Sequence, residues 1–226
     1  MQKTSKLTVD QRRILAETEE YIKRKLMGEG SGHDWWHIKR VQQIVVRIAK
    51  EEQADLFIVQ LGALLHDISD WKFDKAKSTK SGMLLAKKWL EDHGVDNKVV
   101  EKVCDIVENA SFKGAGVTDK LGSLEGRVVQ DADRLDAVGA IGVGRTFAYG
   151  GYKNREMYNP DVKVKMAKTF SEYKKAGQTT INHFYEKLLL IKDRMNTKTG
   201  KKIAKHRHEF MQQFLQEFFA EWEGKK

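Results

Sequence analysis

The chain has 226 residues, 40% of them hydrophobic and 32% charged, a balance that excludes a disordered polymer. Its net charge of +9 invites anionic partners such as nucleotides, nucleic acid or an acidic surface. A single proline, Pro160, leaves helices uninterrupted, and a single cysteine, Cys104, excludes an internal disulfide and reads as a small buried apolar residue.

Val9 to Met27 reads as a polar amphipathic helix that ends at the glycine-rich turn over residues 28–32. A second helix is expected from about Asp34 to Glu52, with Val41, Ile44, Val45 and Ile48 as its core stripe. His37 lies four residues before Val41 and continues that stripe by one turn. Asp55 can cap a third helix, LFIVQLGALL, which is apolar on nearly every side, as a central buried helix must be. It runs directly into His66-Asp67 and then into a loop, SDWKFDKAKS. Further helices are expected over Ser81–His93, Asn97–Asn109, Leu124 to about Phe147, Val162–Lys175, Thr180–Met195 and Lys201–Trp222. No stretch shows strand alternation. The fold class is therefore all-α. It is expected to form one domain over 1–226, with a core at about 20–150 and a C-terminal helical extension at about 151–226.

An adjacent His-Asp pair at the end of an apolar helix is hard to explain as packing. A carboxylate buried without a partner costs several kcal/mol or shifts its pKa until it is neutral. A divalent cation would be that partner for His66 and Asp67, and His37 and Asp133 supply two more inward-facing ligands. Asp133 shares its helix with Val129, Ala132, Asp136, Ala137 and Ala140, and the small neighbours leave room for a cavity. Two imidazoles and two carboxylates leave an octahedral ion with open positions, whereas a tetrahedral zinc would be closed. Mn, Fe or Mg is thus preferred for one divalent metal ion, with Ni, Co and Zn as further candidates.

These segments resemble the HD superfamily of metal-dependent phosphohydrolases, whose pattern is a His, a His-Asp pair and a distant Asp. ALLHDI and ADRLDA are close to that family's phrasing. ADRL also resembles the metal-binding segment of guanosine tetraphosphate hydrolases, which selects Asp133 over Asp131 and Asp136. The latter two are expected to point elsewhere and to be ion-paired. GHDWWHIKRV, DADRLDAVGAIGVGRTFAYGG and NHFYEKLLLIKDRMNT are similar to small stand-alone bacterial HD hydrolases along nearly the whole chain. The resemblance implies an all-helical HD-domain bundle. Some members of that subgroup cut nucleoside triphosphates to monophosphate and pyrophosphate. The chain lacks the His-His pair that other HD enzymes use for a second metal, and His93 is isolated and expected at the surface. It also lacks the HD-GYP signature and a synthetase domain.

Asp70 follows His66 by four residues, at the position where guanosine tetraphosphate hydrolases carry a catalytic acid, and is expected to orient water or act as general base. Lys72 stands beside it as a catalytic phosphate donor. Arg40, one turn from His37, and Lys113, in SFKG, are candidate substrate-binding residues, joined by Arg145, Tyr149 and Lys187. Gly139, Gly142 and Gly144 spell GxxGxG without a preceding strand, so close helix packing explains them better than a dinucleotide loop. Trp35 and Trp36 read as packing at the helix start, with Trp36 also placed to stack on a base. His183, His206 and His208 read as structural or surface residues.

The expected activity is metal-dependent hydrolysis of a nucleotide phosphoanhydride, (d)NTP to (d)NMP and pyrophosphate. A nucleoside monophosphate phosphomonoesterase would use the same ligands. Readings of another class are a basic helical nucleic-acid-binding protein and a non-catalytic nucleotide-binding HD module. The expected partner is a small phosphate ester or nucleotide. Nucleic acid is not expected, because the basic run KTGKKIAKHRH reads as a solvated helix face. An apolar helix face after residue 180 would serve either a homodimer or the core. No apolar stretch has the length of a membrane span, and the opening MQKTSKLTVDQRRIL lacks a signal-peptide core, so a cytoplasmic location is expected.

Overall fold

A computed structural model describes residues 6–28, 34–68, 79–110, 121–166 and 179–226. Among these there are nine α-helices, one 3₁₀ helix and no strand, which establishes the all-α class. No helix among them is long and apolar enough to cross a membrane. The described residues fall into two compact units, one ending at Asp133 and the other beginning at Arg134.

The first unit contains α1 (Val9–Leu26), α2 (Trp35–Glu52), α3 (Leu56–Leu65), α4 (Thr79–Asp92), α5 (Asn97–Asn109) and most of α6 (Leu124–Asp136). Local chemistry sets the helix starts. Thr8 and Gln11 form a reciprocal capping box on α1, and Asp55 accepts from the backbone N–H groups of Phe57 and Ile58 at the start of α3. Because α3 is apolar all round, it is buried all round, packing against α1, α2 and α5. Leu61, Leu64 and Leu65 are fully buried there, each worth about 1.5–3 kcal/mol of transfer free energy. Cys104, expected to be buried, is half-buried on α5.

The second unit contains the end of α6, α7 (Gly139–Tyr152), α8 (Thr180–Glu186), a 3₁₀ helix (Leu188–Arg194) and α9 (Lys198–Trp222). Phe147 of α7, Phe184 of α8 and Phe214 of α9 meet in its core at ring-centroid distances of 5.8–6.3 Å.

The structure corrects three expected helices. The segment Leu124–Phe147 is two helices. The i→i+3 bonds from Ala137 and Val138 to Arg134 and Leu135 close α6, and Gly139 then takes φ +79°, a conformation that favours glycine. Gly142 lies so close under this turn that a Cβ would stand 2.3 Å from the Ala137 carbonyl oxygen. Thr180–Met195 is likewise interrupted, at Lys187 (φ −141°, ψ −58°). The 3₁₀ turn that follows places Leu188 and Ile191 one above the other, both buried. Within Val162–Lys175, residues 163–166 are not helical and the stretch from 167 lies outside the described residues.

A candidate metal centre at the ends of three helices

His37 lies in the first turn of α2, where Asp34 caps the helix by accepting from the His37 backbone N–H at 2.9 Å. Its side chain is 1% exposed, continuing inward the stripe formed by Ile38, Val41, Val45 and Ile48. His66 is the last residue reached by α3: its N–H donates to the Gly62 carbonyl at 2.9 Å, and the chain then turns through Asp67. Asp133 sits on the last turn of α6.

These four residues converge. The His37 Nε2 lies 3.5 Å from both Asp67 Oδ2 and Asp133 Oδ1, and the His66 Nε2 lies 3.5 and 3.8 Å from the same two oxygens. One ligand atom each from His37, His66 and Asp133 lies within 4.8 Å of the others. The two imidazole rings stand edge to face, with centroids 5.4 Å apart.

The Ala63 carbonyl orients the His66 ring. The His66 Nδ1 is 2.8 Å from that carbonyl, which can only accept, so Nδ1 donates and Nε2 is the ring nitrogen turned towards the two carboxylates. Among the described residues this buried Nε2 has no hydrogen-bond partner. In the neutral ring that nitrogen would be an acceptor facing carboxylate acceptors, an arrangement that a cation in their midst would convert into coordination. Ligands about 2.1 Å from a shared centre stand roughly 3–3.4 Å apart, so the observed spacings of 3.5–3.8 Å are close to those of a coordination shell. The donor set fits a divalent ion.

Asp131 is fully buried, and Asp136 receives the Arg145 guanidinium at 2.7 Å. Arg40 follows His37 by one turn on α2 and is half-buried. Asp70, Lys72 and Lys113 lie outside the described residues. Arg145, Tyr149 and Lys187 belong to the second unit. Tyr149 has Lys153 and Arg155 over its ring at 5.6 and 5.5 Å, and Lys187 occupies the break after α8. Trp35 packs as expected, but Trp36 is 59% exposed, because the first turn of α2 turns it outward. His93, expected at the surface, packs on the Trp89 ring with centroids 4.0 Å apart and bonds the Trp89 carbonyl. The Ala63 carbonyl is the contributor that residue types did not reveal. A backbone oxygen three positions before a histidine leaves no mark in sequence beyond the helix end itself.

The HD domain family matches residues 35–138, the stretch that holds all four converging side chains. The protein YpgQ of Bacillus subtilis is 37% identical over 199 residues, spanning 87% of this chain and 88% of that one. The chain belongs to the HD-domain family. Solved structures match it over most of its length. A protein of Lactobacillus plantarum is 35% identical with a TM-score of 0.83, over 97% of this chain and all 100% of that one. An HD-superfamily hydrolase of Bacillus thuringiensis is 38% identical with a TM-score of 0.73, over 94% of this chain and 98% of that one. YpgQ has been crystallised in complex with ADP, and that structure gives a TM-score of 0.70 at 34% identity, over 90% of this chain and 95% of that one. The HD assignment supports a hydrolase.

Proposed function

We propose that this HD protein is a metal-dependent phosphohydrolase that cleaves a nucleotide phosphoanhydride, (d)NTP to (d)NMP and pyrophosphate. The observation that carries the proposal is the convergence of two imidazoles and two carboxylates from three helices, with the buried His66 Nε2 aimed into the group. The ADP complex of YpgQ supports a nucleotide as ligand.

In this reading His37, His66, Asp67 and Asp133 hold one divalent ion, with Mn, Fe or Mg suiting the two carboxylates best. A bound ion supplies Lewis acidity, lowering the pKa of water and neutralising charge on a phosphate oxygen. The Ala63 carbonyl fixes the His66 ring so that its lone pair needs no reorientation. Asp70 orients the attacking water or takes its proton. Water supplies the oxygen that ends on one phosphorus, the anhydride P–O bond breaks, and pyrophosphate leaves. Arg40, Lys72 and Lys113 are the proposed donors to the phosphates.

The test is release of pyrophosphate and phosphate from a nucleotide panel with Mn(II), alongside chelated enzyme and Asp67→Ala. Metal-dependent pyrophosphate release that disappears in the variant is the expected result. Phosphate released only from monophosphates would move the assignment to a phosphomonoesterase on the same ligands. Absence of turnover on every nucleotide would remove the substrate class.

A further inference from the structure

The three residues that follow Asp133 are held in an unusual way. Arg134 donates through Nη1 to the Arg194 carbonyl at the end of the 3₁₀ helix, at 2.5 Å. The Leu135 carbonyl accepts from Arg207 Nη1 of α9, also at 2.5 Å. Asp136, 1% exposed at its side chain, takes Arg145 Nη1 of α7 on Oδ2 at 2.7 Å, and the same nitrogen reaches the Asp136 carbonyl at 3.3 Å. Arginines from two other helices thus donate to backbone carbonyls of the last turn of α6, Arg145 to that of Asp136 and Arg207 to that of Leu135, which also accepts from the Val138 N–H. All of these partners belong to the second unit, whereas Asp133 is the last residue of the first.

We infer that Arg145 and Asp136, with Arg207 as an auxiliary cap, are positioning residues for the Asp133 carboxylate and set the metal affinity of the centre. The inference rests on the reading that Asp133 holds the ion. Its physical basis is that helix ends fray, and Asp133 lies within the terminal turn of α6. A metal ligand must be placed to within about 0.5 Å. Fraying would swing the carboxylate away from the His37 and His66 nitrogens that it now faces at 3.5 and 3.8 Å. The ion pair and the capped carbonyls hold that turn helical and so steady the ligand that precedes them on the same helix.

The test is Co(II) titration of the full chain, following the visible ligand-field spectrum and the dissociation constant. Wild type should take up one equivalent. Arg145→Ala should weaken binding on the order of tenfold, the low end of the loss when an interaction that supports a metal site is removed, and should alter the spectrum. Arg145→Lys, which keeps a cation against Asp136, should recover most of the affinity, and Asp136→Asn should show a loss in the same direction as Arg145→Ala. Phe184→Leu is the control: it loosens the packing of Phe147, Phe184 and Phe214 without removing a donor to Asp136, and should leave affinity and spectrum unchanged. If Arg145→Ala does not fold, Arg145→Lys and Asp136→Asn carry the same comparison. Folded variants that bind Co(II) within twofold of wild type, with its spectrum, would overturn the inference while leaving the metal site standing. So would an equal loss in Phe184→Leu, which would trace the effect to general stability. A wild type that binds no Co(II) would remove the site and the inference together.

Discussion

At the scale of single residues, the centre is built against its own stability. Two carboxylates and two imidazoles stand with ligand atoms 3.5–3.8 Å apart, and the carboxylates repel each other unless a cation intervenes. Such a site is kept for what it binds, and the fold carries its cost elsewhere. Asp67→Asn should therefore act in opposite directions on function and stability. It removes one negative charge from a side chain only 11% exposed, so the metal-free protein should gain about 1 kcal/mol, while metal uptake and hydrolysis fall by at least about 100-fold. Urea unfolding in chelator, beside turnover in Mn(II), measures both. A variant less stable than wild type without metal would mean that Asp67 serves the fold. Much of this centre is legible in sequence because its residues are chemically improbable where they stand. A His-Asp pair has no packing reason to end the helix LFIVQLGALL. Choosing Asp133 over Asp131 and Asp136 needed the family resemblance. In the structure Asp131 is buried and Asp136 is engaged by Arg145, while Asp133 faces the two imidazoles.

At the scale of elements, α3 is the scaffold that delivers His66 and Asp67, and its packing against α5 and α6 depends on Gly62. A Cβ there would lie 3.1–3.2 Å from two side-chain carbons of Ile106 and one of Val129, both fully buried or nearly so. Gly62→Ala gains about 1 kcal/mol of helix propensity but overpacks two helix contacts at about 1–3 kcal/mol. The net expectation is a loss of about 1 kcal/mol in denaturant unfolding, whereas a stabilised variant would show that Ile106 and Val129 can yield. Metal affinity should weaken in parallel, because His66 N–H bonds the Gly62 carbonyl and moves with it. Helices with a periodic apolar face or an evident cap, such as α1, α3 and α5, were readable to within a residue or so. The breaks were not. Leu124–Phe147 keeps its helical composition through the turn, and only the positive φ of Gly139 and the closeness of Gly142 to the Ala137 carbonyl mark the stop. The interruption at Lys187 has no local signal, since the run LLLI suits an α-helix as well as a 3₁₀ turn, and burial of Leu188 and Ile191 decides it.

At the scale of the whole molecule, the four converging side chains come from segments far apart in the chain, at residues 37, 66, 67 and 133. An ion bound there ties α2, the end of α3 and α6 together in the native state and finds no such preformed set in the unfolded chain. Binding is then folding free energy by mass action. At an ion concentration about 100 times the dissociation constant, the native state gains about 2.7 kcal/mol. For a chain of this length each kcal/mol moves the melting temperature by about 2–4 °C. Saturating Mn(II) should therefore raise the calorimetric midpoint by about 5–10 °C over protein in chelator, and the rise should scale with the logarithm of ion concentration. The same titration on His37→Ala should show no shift beyond the small response of any protein to the salt. A rise that survives loss of His37 would place the stabilising ion somewhere other than the four converging side chains. A wild-type midpoint indifferent to metal would mean that these helix ends are held in place by packing alone, and that the crowding of acceptors at His66 is tolerated without a cation.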